Sequence, residues 1–323
     1  MAKKREKHYS GIGGQAVLEG IMMRHKDKYA IAVRKPDKEI AIDIRDYKSV
    51  IGIKNLNKIP ILRGVGAFLD SLVIGTSCLM WSARFFDDEE ETAKAKTEED
   101  KAKEERTWHA LMTGTVIFSV LLSVGLFILL PYFLSSLLRI FSCPETLILL
   151  AEALLRIAIF LLYMVLISRM KDIQTVFAYH GAEHKCINCI EHGLPLTVEN
   201  VLKSSRQHKR CGTSFLLLVV MISVICFLLL GIFGLTSPLL RIGIRLLMIP
   251  VIAGLAYEFL RFAGASSHCV VTVLSKPGLA LQKMVTREPD ASQVEVAIAA
   301  VEAVFDWKAW EDEHFPGGEG AGA

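Results

Sequence analysis

Four long apolar runs lie between residues 110 and 262 and indicate the structural class of the protein. Each run has close to the length of ~20 apolar residues that a helix needs to cross a bilayer. The runs cover roughly 110–138, 146–168, 213–236 and 239–262. Very short connections join the first run to the second and the third run to the fourth. The pattern predicts a mainly α-helical, polytopic membrane protein with about four transmembrane helices in two hairpins, 108–168 and 213–262.

A fifth apolar segment, 60–86, leaves its relation to the membrane open. Arg63 and Asp70 interrupt it, while its apolar residues recur at helical spacing. A helix lying in the membrane interface, or buried under the bundle, fits at least as well as a full span. The next segment, 87–107, mixes acidic and basic residues without an apolar stripe, which predicts a charged linker or a solvated helix.

Residues 1–59 have the pattern of a small soluble β unit. The first ten are charged and are predicted to form a disordered lead, and the glycine-rich stretch GIGGQAVLEG follows them. YAIAVR and EIAIDIR then alternate with period two around the turn signal at 35–38, and this predicts a β-meander. Ile40, Ile42 and Ile44 share one face of the second strand.

The last segment, 263–323, returns to soluble character. Apolar residues at helical spacing predict a C-terminal amphipathic helix over 292–305, with Asp290 or Ser292 as the N-cap. The glycine-rich end of the chain is predicted to be a loose tail.

The composition agrees with membrane insertion and gives no support to a nucleic-acid partner. The 323 residues are 52% hydrophobic, with a mean hydropathy of +0.40. A net charge of +3 is too small to indicate nucleic-acid binding, and no basic-aromatic module is present. The seven cysteines are an odd number clustered near histidines, which favours thiols in a reducing compartment over disulfides.

Lysine and arginine are concentrated in the segment between the two hairpins, 169–212, and in the N-terminal region. The positive-inside rule therefore predicts a multi-pass protein of the cell membrane whose central loop and both termini face the cytoplasm. The lipid bilayer is the one predicted partner, and the substrate and oligomeric state stay open.

The candidate chemistry lies in this central loop. His180, Glu183 and His184 form the pattern H-x-x-E-H, which places both imidazoles on one face of a helix. This is the inverted zinc-peptidase arrangement, in which the two histidines bind zinc and Glu183 is the general base. Glu258, near the end of the last span, is a candidate third ligand or the ion-pair partner of Arg261.

A structural metal site competes for the same segment. Cys186, Cys189, His208 and Cys211 have the spacing of a zinc ribbon, and a closed four-ligand set would leave no open position for catalysis. The sequence leaves open whether there is one mixed site or two, and whether the histidines and thiols hold an ion at all.

Four motifs in order resemble the YqhQ-like family of bacterial integral membrane proteins, a family of unknown function described as predicted metal-dependent enzymes. They are GGQAVLEGIMMR, YHGAEHKCINCIEHGLPLTVENV, HKRCGTSF and TREPDASQVEVAIAA, and the resemblance spans roughly 11–305. The residues that the resemblance implicates are Gly14, Gln15, Glu19, Gly20, Arg24, His180, Glu183, His184, Cys189, His208, Arg210 and Cys211. The family pattern has threonine at the position of Cys186 and proline at that of Lys209, which weakens Cys186 as a ligand.

We therefore expect a membrane metalloenzyme, hydrolytic and dependent on zinc or another divalent metal, with its site at the cytoplasmic membrane surface. The expected ligands are His180, His184, Cys189, His208 and Cys211, with Glu183 as the base. The substrate would be a peptide bond in or near the membrane, or a lipid-linked ester or phosphate. The alternative is a non-enzymatic membrane scaffold or assembly factor whose loop is held together by a structural zinc.

Overall fold

A computed structural model of the chain describes residues 7–49, 52, 59–86, 98–232, 237–265 and 268–316. The protein is mainly helical and contains one small antiparallel sheet. The chain forms two compact units. The first comprises Met1–Phe86, Met164–Val219 and Ala253–Ala323, and the second comprises Asp87–Tyr163 and Val220–Ile252.

The helices follow one another along the chain after the sheet. They are α1 (Leu62–Ala83), α2 (Glu98–Val124), α3 (Leu130–Ser136), α4 (Glu145–Ile167), α5 (Lys171–Glu191), α6 (Val198–Lys203), α7 (Gly212–Ile232), α8 (Pro238–Leu247), α9 (Ile249–Ala265), α10 (Cys269–Val285), α11 (Ala291–Glu302) and α12 (Trp307–His314). A π-helical turn, Gly125–Leu129, and a 3-10 turn, Leu137–Phe141, flank α3.

Five of the described helical stretches are long and apolar enough to cross a membrane. Four of them are Thr113–Phe141, Glu145–Ile167, Gly212–Gly231 and Pro238–Gly264, and they confirm the four predicted apolar helices. The fifth is α1, which lies in the segment that the sequence left open. The architecture is therefore compatible with a multi-pass membrane protein.

The two charges that interrupt α1 both have partners in the first unit. Asp70 is buried and accepts hydrogen bonds from the hydroxyls of Tyr47 and Ser49. Arg63 pairs with Glu258 of α9. Arg63 is thus paired with an opposite charge and Asp70 is hydrogen-bonded, which lowers the cost of placing both side chains in an apolar helix.

The predicted β-meander is confirmed, and two further strands precede the predicted pair. Strands β1 (Gly13–Val17), β2 (Gly20–His25), β3 (Lys28–Arg34) and β4 (Ile40–Asp46) are antiparallel neighbours in that order. The glycine-rich stretch thus forms β1 and the turn into β2. Glu19, the second residue of that two-residue turn, lies in the left-handed region with φ 46°.

Both faces of the central strands are covered. On one face, Ile21 and Met23 join a core formed with α5 and α11. On the other face, Ile31 and Val33 pack with residues of α1. The edge strand β4 follows the predicted alternation, yet Ile42 and Ile44 are exposed, as is Asp46, because the helices cover chiefly β2 and β3.

The central segment, 169–212, contains the two helices α5 and α6, and the H-x-x-E-H pattern lies on α5. In the predicted charged linker, residues 98–107 begin α2, while 87–97 lie outside the described residues. The predicted C-terminal helix is confirmed as α11. Its N-cap is Asp290, which forms a capping box with Gln293. The tail beyond 316 lies outside the described residues.

Candidate metal centre

Three predicted ligands converge at the middle of α5. His180 and His184 stand one helical turn apart, with their ring centroids 4.5 Å from each other. Cys211, just before α7, brings its Sγ to 3.2 Å from Nε2 of His180. The candidate ligand atoms of these three residues all lie within 4.8 Å of one another, and they form the one such group in the described part of the chain.

The histidines are oriented by hydrogen bonds on their far side. Nδ1 of His180 lies 3.0 Å from the carbonyl oxygen of Val285, and Nδ1 of His184 lies 2.6 Å from that of Arg206. A carbonyl oxygen only accepts, so each Nδ1 carries a hydrogen, and Nε2 is the ring nitrogen left to bind a metal. This is the orientation found in metal-ligating histidines.

Buried polar side chains hold the segment before α7 against α5. Lys185 and Asn188 each donate two hydrogen bonds to backbone carbonyls of residues 202–207. Gln282 of α10 bonds both the backbone N–H and the carbonyl of His208. These contacts position the thiol three residues later.

Glu183 lies between the two histidines in sequence and is buried. Its Oε1 accepts a hydrogen bond of 3.1 Å from the backbone N–H of Gly14 in β1. Burial raises the pKa of Glu183, against the charge of His180 and the Gly14 hydrogen bond, which act to lower it. The sheet therefore fixes the carboxylate beside the candidate ligands.

Gly14 has no room for a side chain. A Cβ built there would lie 2.6 Å from the backbone oxygen of Met22 and 3.1 Å from Cγ of Glu183. Gly14→Ala is therefore expected to displace β1 or Glu183 and to lower the free energy of unfolding by about 1–3 kcal/mol. Thermal unfolding of the detergent-purified protein measures this. Gly13→Ala is the matched control, because nothing lies within 4 Å of its Cβ. Equal melting temperatures for the two variants would contradict the expectation.

Cys189 and Cys186 do not join the converging group. The thiol of Cys189 lies 3.5 Å from the carbonyl oxygens of Leu194 and Pro195, and burial raises its pKa to about 12. Cys186 belongs to the apolar core between the sheet, α5 and α11, where burial also raises its pKa. Cys189 follows His180 by nine residues, which is about two and a half helical turns and points it to the opposite face of α5. The position of Cys189 on the helix was therefore the sequence signal that it would not join His180.

His208 and Arg210 lie in a second buried network, centred on Glu191. Oε2 of Glu191 lies 3.2 Å from Nε2 of His208 and 3.2 Å from Nζ of Lys7. Oε1 of Glu191 pairs with Arg210 and accepts a hydrogen bond from the hydroxyl of Ser10. Burial alone would raise the pKa of Glu191, but His208, Arg210 and Lys7 lower it to about 2. Burial lowers the pKa of His208 to about 4. The imidazole is therefore neutral at pH 7, and the cations on Glu191 are Arg210 and Lys7.

Glu258 is engaged by Arg63. It accepts a hydrogen bond of 2.6 Å from Nε of Arg63 and a second from Nη2. Among the described residues this guanidinium, and not that of Arg261, is its ion-pair partner. The carboxylate thus serves to join α1 to α9.

The remaining site-like residues of the first motif have structural contacts. The side chain of Gln15 occupies the space that a Cβ of Gly75 in α1 would need. Glu19 approaches the hydroxyl of Tyr179 at 3.5 Å, and the guanidinium of Arg24 stacks 3.2 Å from the ring centroid of Tyr47. The motif therefore joins the sheet to α1 and α5.

The TREPD motif crosses α5 beside the candidate centre, a role that the sequence analysis missed. A Cβ at Gly181 would lie 2.0 Å from the carbonyl oxygen of Arg287. The backbone N–H of Arg287 donates to Phe177, and Glu288 pairs with Lys185 at 2.9 Å. Gly181, the glycine inside H-x-x-E-H, permits this approach because it has no side chain. Its place inside the motif was the available sequence signal.

Comparisons with known proteins cover most of the chain. Residues 59–307 match the family described as "Protein of unknown function (DUF1385)", a range that includes the three converging residues. The chain is 34% identical over 304 residues to "Uncharacterized protein YqhQ" of Bacillus subtilis (strain 168), with 94% of each chain covered. No solved structure matches it. The chain, with its His180–His184–Cys211 group, therefore belongs to the DUF1385 family of proteins of unknown function.

Proposed function

We propose that this protein is a membrane-embedded zinc-dependent hydrolase whose metal ligands are His180, His184 and Cys211. The observation that carries the proposal is the convergence of these three donors within 4.8 Å, with both Nδ1 atoms already bound to carbonyls. Three protein ligands leave one position of a tetrahedral site open, as in catalytic zinc sites.

The donor chemistry fits zinc better than the hard cations. Two imidazole nitrogens and one thiolate suit zinc or another borderline-soft metal, whereas magnesium and calcium prefer oxygen ligands. Bound zinc supplies Lewis-acid activation of water near neutral pH. The ligand set is smaller than the five residues expected from sequence, since Cys189 and His208 have other partners.

Glu183 is the proposed general base. Its neighbours in α5 are the ligands, and the N–H of Gly14 holds one carboxylate oxygen in place. The carboxylate would take a proton from the attacking water and return it to the leaving group, a role that contributes about 10²- to 10⁴-fold in rate. The lysines and arginines of 169–212 support a centre on the cytoplasmic side, acting on a peptide bond or on a lipid-linked ester or phosphate.

The test is Glu183→Gln in zinc-loaded, detergent-purified protein. The probes are fluorescent casein, p-nitrophenyl butyrate and bis(p-nitrophenyl) phosphate, and we expect the parent to hydrolyse at least one of them. Glu183→Gln should keep its zinc and lose about 10²- to 10⁴-fold of that rate. Glu199→Gln, an exposed position paired with Lys203 on α6, is the control and should keep the rate. Unchanged hydrolysis by zinc-loaded Glu183→Gln would remove the carboxylate from the mechanism.

A structural metal in a membrane scaffold is the second candidate function. It is favoured by the deep burial of His184 and Cys211 and by the way the ligands would join α5 to the segment before α7. In that case Glu183→Gln would change neither metal content nor stability, no probe would be hydrolysed, and metal removal would lower the melting temperature.

A further inference from the structure

The apolar helices of the second unit contain an excess of positive charge. From residue 113 to 163 and from 220 to 252 the described residues include four arginines and two glutamates. They are Arg139, Arg156, Arg241, Arg245, Glu145 and Glu152. Charge within helices of this kind is costly unless it is paired, and it commonly marks a functional site.

The deepest of these charges form a cluster with two cations and one anion. Glu152 accepts from Arg156 at 2.7 Å through one oxygen and from Arg245 at 2.8 Å through the other. All three side chains are nearly buried, with relative exposures of 3% to 6%. The carboxylate is therefore fully used, and one positive charge remains uncompensated.

Arg156 also hydrogen-bonds to a backbone carbonyl of the neighbouring helical segment. Pro131 has no N–H, so it cannot give the carbonyl of Phe127 the hydrogen bond of a regular α-helix. Nε of Arg156 donates to that oxygen at 3.0 Å. The π-helical turn at Gly125–Leu129 lies at the same point. Arg156 thus donates both to Phe127 and to Glu152, whereas Arg245 retains a buried donor without a partner among the described residues.

Arg245 lines a cavity and also has an unused hydrogen-bond donor. Its Nη1 is buried and has no hydrogen-bond partner among the described residues. The cavity measures about 20 Å³, enough for one water molecule or one ligand oxygen. Arg245 and Arg241 form its polar side, and Leu149, Phe227, Leu230 and Gly231 form its apolar side. The rings of Tyr132 and Phe227 lie 4.6 and 5.2 Å from the guanidinium, but they carry no charge.

We propose that the space beside Arg245, between α4, α7 and α8, binds a phosphate group. An anionic oxygen entering the cavity would accept from Nη1 and balance the excess charge, while the rest of the group stays outside. Guanidinium groups suit phosphate because they present paired donors in one plane. The leucine side of the cavity favours a phosphate carried on an apolar chain, so a lipid headgroup is the first source and free phosphate the second.

The experiment uses the full-length protein in a neutral detergent and follows its thermal unfolding. The probes are dioctanoyl phosphatidic acid, dioctanoylglycerol as the same lipid without phosphate, and inorganic phosphate at matched ionic strength. We expect phosphatidic acid to raise the melting temperature in a saturable way and dioctanoylglycerol to leave it unchanged. Arg245→Gln should weaken the apparent affinity by about tenfold or more. Arg139→Gln, an exposed arginine of the same unit, should bind like the parent.

Stabilisation by inorganic phosphate as well as phosphatidic acid would support the anion site with free phosphate as a ligand. Equal effects of phosphatidic acid and dioctanoylglycerol on the parent would overturn the proposal, as would parent-like affinity in Arg245→Gln. If Arg245→Gln does not fold, Arg245→Lys retains the charge beside Glu152 but loses the planar pair of donors. It should then show the same loss of affinity.

Discussion

His180→Ala, His184→Ala and Cys211→Ser are each expected to lose the bound metal almost completely. The three residues supply the only converging donor group in the described part of the chain, and removing one leaves two ligands for a site that needs three or four. Purified without chelators, the parent should contain about one zinc per chain. Elemental analysis should find less than about a tenth of that in each variant.

Cys189→Ser is the matched control for Cys211→Ser. Both residues are buried thiols, but Cys189 faces the carbonyls of Leu194 and Pro195. It should therefore keep its zinc and a parent-like melting temperature. Loss of zinc from Cys189→Ser, with zinc retained in His180→Ala, would show that the metal belongs to a different, cysteine-based set. A metal-free parent would exclude a resident zinc altogether.

Glu191→Ala is expected to cause the largest loss of stability, about 2–4 kcal/mol in the free energy of unfolding, because it leaves two buried hydrogen-bond donors without their acceptor. The Glu191 side chain is fully buried and pairs with Lys7 and Arg210, while His208 and Ser10 hydrogen-bond to it. Removing the carboxylate leaves two cations and several hydrogen-bond donors without their common acceptor. Urea unfolding of the detergent-solubilised protein, followed by tryptophan fluorescence, measures the change.

The control for this prediction is Glu199→Ala. Glu199 also pairs with a lysine, four residues later, but both side chains are largely exposed. Exposed pairs contribute little to stability, so no measurable change is expected. A Glu191→Ala protein as stable as Glu199→Ala would mean that the cations on Glu191 find other partners or water, and that the network does not hold the N-terminal segment to α5.

The apolar runs and the periodic spacing of apolar residues were sufficient to predict most of the helices and strands. The apolar runs predicted the long helices because a bilayer-length run of apolar residues has few alternatives. The β-meander and α11 followed from alternation and from the Asp290 cap. Segment 60–86 stayed ambiguous because the partners of its two charges are distant in sequence. Arg63 pairs with Glu258, and Asp70 accepts a hydrogen bond from Tyr47.

In the candidate site, too, some features follow from local spacing and others from contacts between distant segments. The spacing of His180 and His184 determines that they meet, because one helical turn brings residues four apart onto one face. Which thiol joins them depends on chain segments 31 residues apart and on the hydrogen bonds that seat 202–208 on α5. Lys7 and Ser10, expected to lie in a disordered lead, are tied to α5 through Glu191.

By itself, the sequence determined the long apolar helices, the sheet and the paired histidines, since each depends on residues that are close to one another along the chain. The tertiary structure decided the choice of Cys211 over Cys189, the Gly14 contact that holds Glu183, and the placement of Arg245 beside Glu152. These depend on buried polar groups that find their partners across the fold. Burial makes an unpaired charge or donor costly, so the partner is selected by packing and not by spacing.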